Sequence, residues 1–130
     1  MVEPFLAFLL AAQAPAAVAP EPDWGRARLV SVALSNFDYT PATVRMPAGV
    51  PVRLRLTNAG SGGHNFSSPA FFAAARLDSA SAARVRRGAV ELRGRSTVEI
   101  RLVPAAGRYR LRCTHLFHSA FGMTGEILVE

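Results

Sequence analysis

Apolar and polar residues alternate with period two along much of this chain, most cleanly where Val52, Leu54 and Leu56 are interleaved with Arg53 and Arg55. An extended strand points successive side chains to opposite faces, so this spacing predicts a strand with an apolar face inward and a charged face in water. Residues 28–35 alternate in the same way, and Arg108, Arg110 and Arg112 alternate with Tyr109, Leu111 and Cys113. Further strands are predicted over 43–46, ended by Pro47-Ala48-Gly49, and over 90–92 and 97–103, on either side of a turn at Arg93-Gly94-Arg95. Pro104-Ala105-Ala106-Gly107 is another turn, leading into a strand over 109–113, and the last strand runs over 124–129. Residues 58–63 form a Gly/Ser-rich loop that delivers His64 to a strand of its own. Short strands with regular turn punctuation predict an all-β sandwich or barrel.

Residues 67–88 break the alternation. Ser68-Pro69 has the form of a helix N-cap followed by proline at the first helical position. Phe71, Phe72 and an Ala-rich stretch follow, and Asp78 or Ser79 can cap a second short helix ending before Gly88. A helical insertion is therefore expected between the strand carrying His64 and the next one. The chain has no internal repeat.

Length and composition narrow the picture. With 130 residues, half of them apolar, the chain has enough for one domain with a real core and not for two. All fifteen basic residues are Arg, against nine acidic ones, for a formal net charge of +6. Because many Arg fall on the outward positions of alternating strands, a solvated sheet face is the plain reading. A docking surface for an acidic redox partner or an anionic lipid surface is the sharper one. No basic helix or aromatic–basic module supports nucleic-acid binding.

Residues 1–19 have the form of an export signal. Residues 5–12 are mostly apolar, 13–19 are Ala/Pro-rich, and Ala17-Val18-Ala19 fits the small-x-small cleavage pattern. The run is too short for a permanent membrane span, and no cysteine follows it to take a lipid anchor. Glu3 stands where a positive charge is usual, so the amino terminus supplies that charge or the true start lies upstream. Residues 20–27 then read as a linker into a domain over 28–130. In an oxidising compartment a lone cysteine cannot form an internal disulfide. A metal bond explains its presence, and a small buried hydrophobe is the alternative.

That cysteine lies in a dense cluster. Within the run from Cys113 to Met123 stand the only cysteine, two of three histidines, His115 and His118, and one of three methionines. His64 lies far upstream in Gly63-His64-Asn65-Phe66. A thiolate, two imidazoles and a weak axial thioether are the donors of a blue-copper electron-transfer site, a compromise that serves both Cu(I) and Cu(II). The spacing Cys-x4-His-x4-Met lets one tight loop between two strands fold around a single ion. A cysteine nucleophile activated by histidine is the enzymatic rival, but it leaves Met123, Asn65 and the spacing without a purpose. Structural zinc rarely uses a thioether.

Gly63-His64-Asn65-Phe66 followed by Cys113-x4-His118-x4-Met123 at the start of the last strand resembles the cupredoxins, the small blue copper proteins of the plastocyanin and azurin type. The similarity extends over 28–130 and includes Asn36-Phe37-Asp38-Tyr39-Thr40-Pro41. The resemblance implies a Greek-key β-sandwich of about eight strands with copper at one end, held by His64, Cys113, His118 and Met123. It implies that the Asn65 backbone N–H donates to the cysteine sulfur while its side chain ties the two ligand segments together. It also makes the Gly63 carbonyl a weak fifth ligand. Leu116 stands where the family often has proline, which adds a backbone N–H able to reach the sulfur. More donors to the thiolate raise the reduction potential. His115 is a third candidate imidazole: it either replaces or supplements His118, giving a green or red site, or supports the ligands from an exposed position.

The function implied is one-electron transfer by a monomeric, exported, periplasmic copper protein with no enzymatic activity and no need of a membrane. Leu116, Phe117, Ala120 and Phe121 surround His118 in sequence and form the expected apolar docking patch for a redox protein. Phe71 and Phe72 either extend that patch or pack the helical insertion onto the sandwich. The alternative function is copper storage or delivery, as a chaperone or resistance factor, without electron shuttling.

Overall fold

The computed structural model describes residues 20–115 and 122–130, together with Val2, Pro4 and Ala7. The rest of the expected export signal, and the loop residues Leu116, Phe117, His118, Ala120 and Phe121, lie outside the described residues. Within 20–27 the chain makes one 3-10 turn, Trp24–Arg26, and buries the Trp24 ring.

Ten strands form among the described residues, in two five-stranded sheets. The first sheet has β1 (Arg28–Ser35), β2 (Asp38–Thr40), β4 (Val52–Asn58), β6 (Arg76–Leu77) and β8 (Ser96–Val103), in the order β2-β1-β4-β8-β6. The second has β3 (Thr43–Met46), β5 (His64–Ser67), β7 (Ala89–Leu92), β9 (Gly107–Arg112) and β10 (Thr124–Val129), in the order β3-β10-β9-β5-β7. β1 runs parallel to β4, and β3 parallel to β10, so the chain crosses between sheets instead of folding as consecutive hairpins. The eight strands expected from sequence are all present. The two additions, β2 and β6, are short edge strands of three and two residues.

Burial follows the alternation. Val52, Leu54 and Leu56 of β4 are fully buried beside Ile100 and Leu102 of the neighbouring β8, in one core with Leu111, Ile127 and Val129 of the other sheet. Each such side chain contributes roughly 1.5–3 kcal/mol by leaving water. On the outer face Glu99 lies opposite Arg55 and within 3.6–3.9 Å of Arg53, Arg55 and Arg101. Arg108 pairs with Glu126 at 3.1 Å. Arg53, Arg55, Arg101 and Arg108 thus lie on an outward face with counter-charges beside them.

The helical insertion forms as expected, with α1 over Pro69–Ala74 and α2 over Ser79–Ala82. Asp78 caps α2, its carboxylate accepting from Ser81 N–H at 2.8 Å. Ser68 occupies the N-cap position of α1, yet its hydroxyl donates to the Arg110 carbonyl at 2.6 Å and so pins the helix to β9. Phe71 and Phe72 are buried against Tyr109 and Phe66 with ring centroids 5.5 and 6.1 Å apart. Of their two readings, packing of the insertion onto the sandwich is the one the fold contains. Among the described residues no helix is long and apolar enough to cross a membrane.

Candidate metal centre

The loop before His64 is built by a residue that sequence reasoning passed over. Asn58, at the end of β4, is fully buried. Its Nδ2 donates to the carbonyls of Gly62, Leu92 and Arg93 at 2.8–3.3 Å, and its Oδ1 accepts from Gly60 N–H at 3.0 Å. The signal was there to be seen. An asparagine that closes an alternating strand and precedes Gly/Ser residues is a turn former, because its amide mimics a backbone turn. The turn at 93–95 packs on the same loop: Arg95 N–H donates to the Gly60 carbonyl at 3.0 Å, and any side chain at Gly94 would run into the Ser61 carbonyl.

The strand this loop delivers is buried at all four positions. His64 is 4% exposed and Asn65 1%. His64 and Phe66 share the inward face, where Tyr39 meets the Phe66 ring edge-on at 6.0 Å. The Tyr39 hydroxyl donates to the Asn65 carbonyl at 2.7 Å. Burial pushes that phenol well above its usual range, and charge on the nearby Cys113 sulfur adds to the effect.

Cys113 follows β9 and is fully buried. The N–H of the peptide joining His64 to Asn65 donates to its Sγ at 3.4 Å. Its own N–H donates to the Met123 carbonyl at 3.1 Å, bringing these two residues together at the foot of β10. Met123 is fully buried as well. The Asn65 side chain completes the junction: Oδ1 accepts from Thr114 N–H at 2.9 Å, and Nδ2 donates to Thr114 Oγ1 at 2.6 Å and to Glu91 Oε1 at 2.7 Å. Asn65 therefore makes both contacts the resemblance implied. Glu91 was not singled out in the sequence, where it looks like any outward charge on an alternating strand.

His115 is about one-third exposed, and its Nε2 lies 2.8 Å from Glu91 Oε2. Its ring lies beside Gly63, where a Cβ would come within 3.2 Å of Cε1. The structure thus brings His64, Asn65, Cys113 and Met123 to one end of the sandwich, with Gly63 and His115 beside them. His118 lies outside the described residues. Among those that are described, no three His, Cys, Asp or Glu side chains gather as a metal cluster.

A Greek-key sandwich with a buried thiol at one end, hydrogen-bonded by the strand that follows a buried imidazole, defines the class. The family profile described as "Cupredoxin-like domain" matches residues 4–129. The chain belongs to the cupredoxin-like family. Its solved structural relatives include dithionite-reduced auracyanin from the photosynthetic bacterium Roseiflexus castenholzii, with a TM-score of 0.58 at 21% identity, over 78% of this chain and 96% of that one. Auracyanin B gives a TM-score of 0.57 at 20% identity, over 87% of this chain and 93% of that one. Auracyanin A, described as a "blue" copper protein from the green thermophilic photosynthetic bacterium Chloroflexus aurantiacus, gives 0.52 at 19% identity, over 78% and 99%. At these identities the likeness is one of fold. No curated protein sequence matches the chain.

Family membership implies one copper ion, and the residues present fit it. Cys113 supplies a soft sulfur shielded from water, with a backbone N–H already aimed at it. Met123 and His64 supply a thioether and an imidazole, the mixture that suits copper and ill suits hard cations.

Proposed function

We propose that this chain is an exported, periplasmic copper protein that carries one electron at a time between redox partners, with His64, Cys113, His118 and Met123 holding a single ion. Bound there, copper supplies a one-electron Cu(I)/Cu(II) couple. The observation that carries the reading is the Asn65 N–H on the buried Cys113 sulfur. A donor fixed on the sulfur tunes the electron density it offers to a metal.

The remaining roles follow from the same frame. Tyr39 holds the Asn65 carbonyl and so fixes the peptide that follows the one carrying that N–H. Asn65 joins the two ligand segments through Thr114. A frame that is rigid before the ion arrives keeps reorganisation small when the electron moves. Met123 would supply the weakest of the four protein donors, and the Gly63 carbonyl a weaker one still. His118 serves as the electron port, and its apolar neighbours in sequence, Leu116, Phe117, Ala120 and Phe121, supply the contact on which a redox protein docks transiently. The protein works as a monomer and as a carrier, not an enzyme, and residues 1–19 direct its export.

A visible spectrum and cyclic voltammetry of the copper-loaded protein test this. The expected result is an intense thiolate-to-copper band, reversible redox cycling, and loss of the band in Cys113→Ser while the fold remains. A colourless Cu(I) form that resists oxidation assigns the protein to copper storage or delivery instead. A band that survives Cys113→Ser removes the ligand assignment.

A further inference from the structure

Backbone pairing between the two ligand-bearing strands is confined to one position, Ser67 of β5 opposite Arg112 of β9. Beyond it, toward His64 and Cys113, the described bonds between the segments run through the Asn65 backbone N–H and side chain. On the other side of β5 lies β7, in register so that Asn65 stands directly opposite Glu91. Glu91 uses both carboxylate oxygens, and on different segments: Oε1 accepts from Asn65 Nδ2 at 2.7 Å, while Oε2 meets His115 Nε2 at 2.8 Å.

We infer that Glu91 is a positioning residue of the metal centre, clamping the strand after His64 to the loop after Cys113 and engaging His115 as the loop's anchor. The inference rests on the reading of that end of the molecule as a metal site. An exposed glutamate on a strand is ordinarily a solvated charge of little consequence, and the Glu91 side chain is 63% exposed. Here two observations outweigh that default. One partner, Asn65, is 1% exposed, so its amide has no water to fall back on. The other sits two residues beyond Cys113, and the contact closes a circuit from Asn65 through Glu91, His115 and Thr114 back to Asn65. Gly63 leaves room for the His115 ring at the place where a Cβ would crowd it. Glu91 thereby turns a link made by one residue into a ring of contacts spanning three chain segments, and the imidazole nearest Cys113 in sequence belongs to that ring.

The test uses the full chain and two readouts. In the metal-free protein, amide hydrogen exchange at Thr114 reports how firmly Asn65 is held. Glu91→Ala is expected to speed it about fivefold, the size of a half-exposed charge-assisted hydrogen bond. His115→Ala should speed it less, and the double variant no more than Glu91→Ala alone, because both changes open one clamp. Glu91→Gln, which keeps a single carbonyl acceptor, should fall between. Amides of Leu54 and Ile100 should not change. In the copper-loaded protein, Cu(I) release to a chelator should accelerate in the same order, by up to about tenfold. Unchanged Thr114 exchange in Glu91→Ala overturns the clamp, as do effects of the two single variants that multiply. Faster exchange without faster copper release overturns the bearing on the metal centre. The metal-free readout decides the clamp even in a protein that takes no copper, so the two failures are distinguishable.

Discussion

β4 and β5 are consecutive strands, yet they are buried by different rules. β4 alternates, with Val52, Leu54, Leu56 and Asn58 in the interior and Arg53, Arg55 and Thr57 half-buried on the outside. β5 is buried at every position, because its outward residues Asn65 and Ser67 are covered as completely as His64 and Phe66. The first strand has one job, supplying an apolar face to the core. The second has two faces at work: the inner one packs, and the outer one is occupied by Thr114 and Glu91. Loss of alternation in a short antiparallel strand thus marks a place where the fold is also binding its own loops into a site.

Three substitutions test that division, taken from the largest expected effect. Leu54→Ala empties a fully buried position of β4 and should cost about 3 kcal/mol in urea unfolding through lost transfer energy and the cavity left behind. The visible band of the copper-loaded protein should stay as it is. A band altered as strongly as in a β5 variant would mean the two strands are not separable. Asn65→Ala should cost less, about 2 kcal/mol, since it strands the Thr114 N–H without its acceptor. It should nevertheless shift the band and the potential, which Leu54→Ala does not. A spectrum unchanged by Asn65→Ala would remove the outer face of β5 from the site.

Tyr39→Phe is the smallest of the three, about 1 kcal/mol at neutral pH for one buried hydrogen bond. Its signature is in the pH dependence. Burial keeps the native phenol protonated beyond its usual range, whereas in the unfolded chain it ionises near pH 10. Above that pH the unfolded chain binds fewer protons than the native one, so stability falls as pH rises through and beyond about 10. The chain contains no lysine to mask this. Denaturant unfolding from pH 8 to 11 should show a decline that flattens in Tyr39→Phe. An equally steep decline in the variant would assign it to another group.

These contrasts also explain what could be read in advance. Period two located β4 and β8 because their side chains obey it, and punctuation by proline and glycine located the turns around them. β5 has no such alternation to follow and was placed through the residues it carries, His64 and Asn65. β2 and β6 are too short to show any period, and their pairing is settled by neighbours that are distant in sequence. Asn58 and Glu91 escaped for a related reason. Each has an ordinary local reading, a strand end and a surface charge, and only the arrival of Gly62, Leu92, Asn65 and His115 from elsewhere gives it another.

The contact of Gly94 with the Ser61 carbonyl has a bearing on how such a site can be inherited or re-engineered. The loop that presents His64 and the turn between β7 and β8 occupy a shared space that only a residue without a side chain leaves open. Transplanting residues 59–63 from a relative without its matching 93–95 turn would bring two surfaces together that were never shaped for each other. The two segments are far apart in the chain but form a single cassette, and variation in one is permitted only in step with the other.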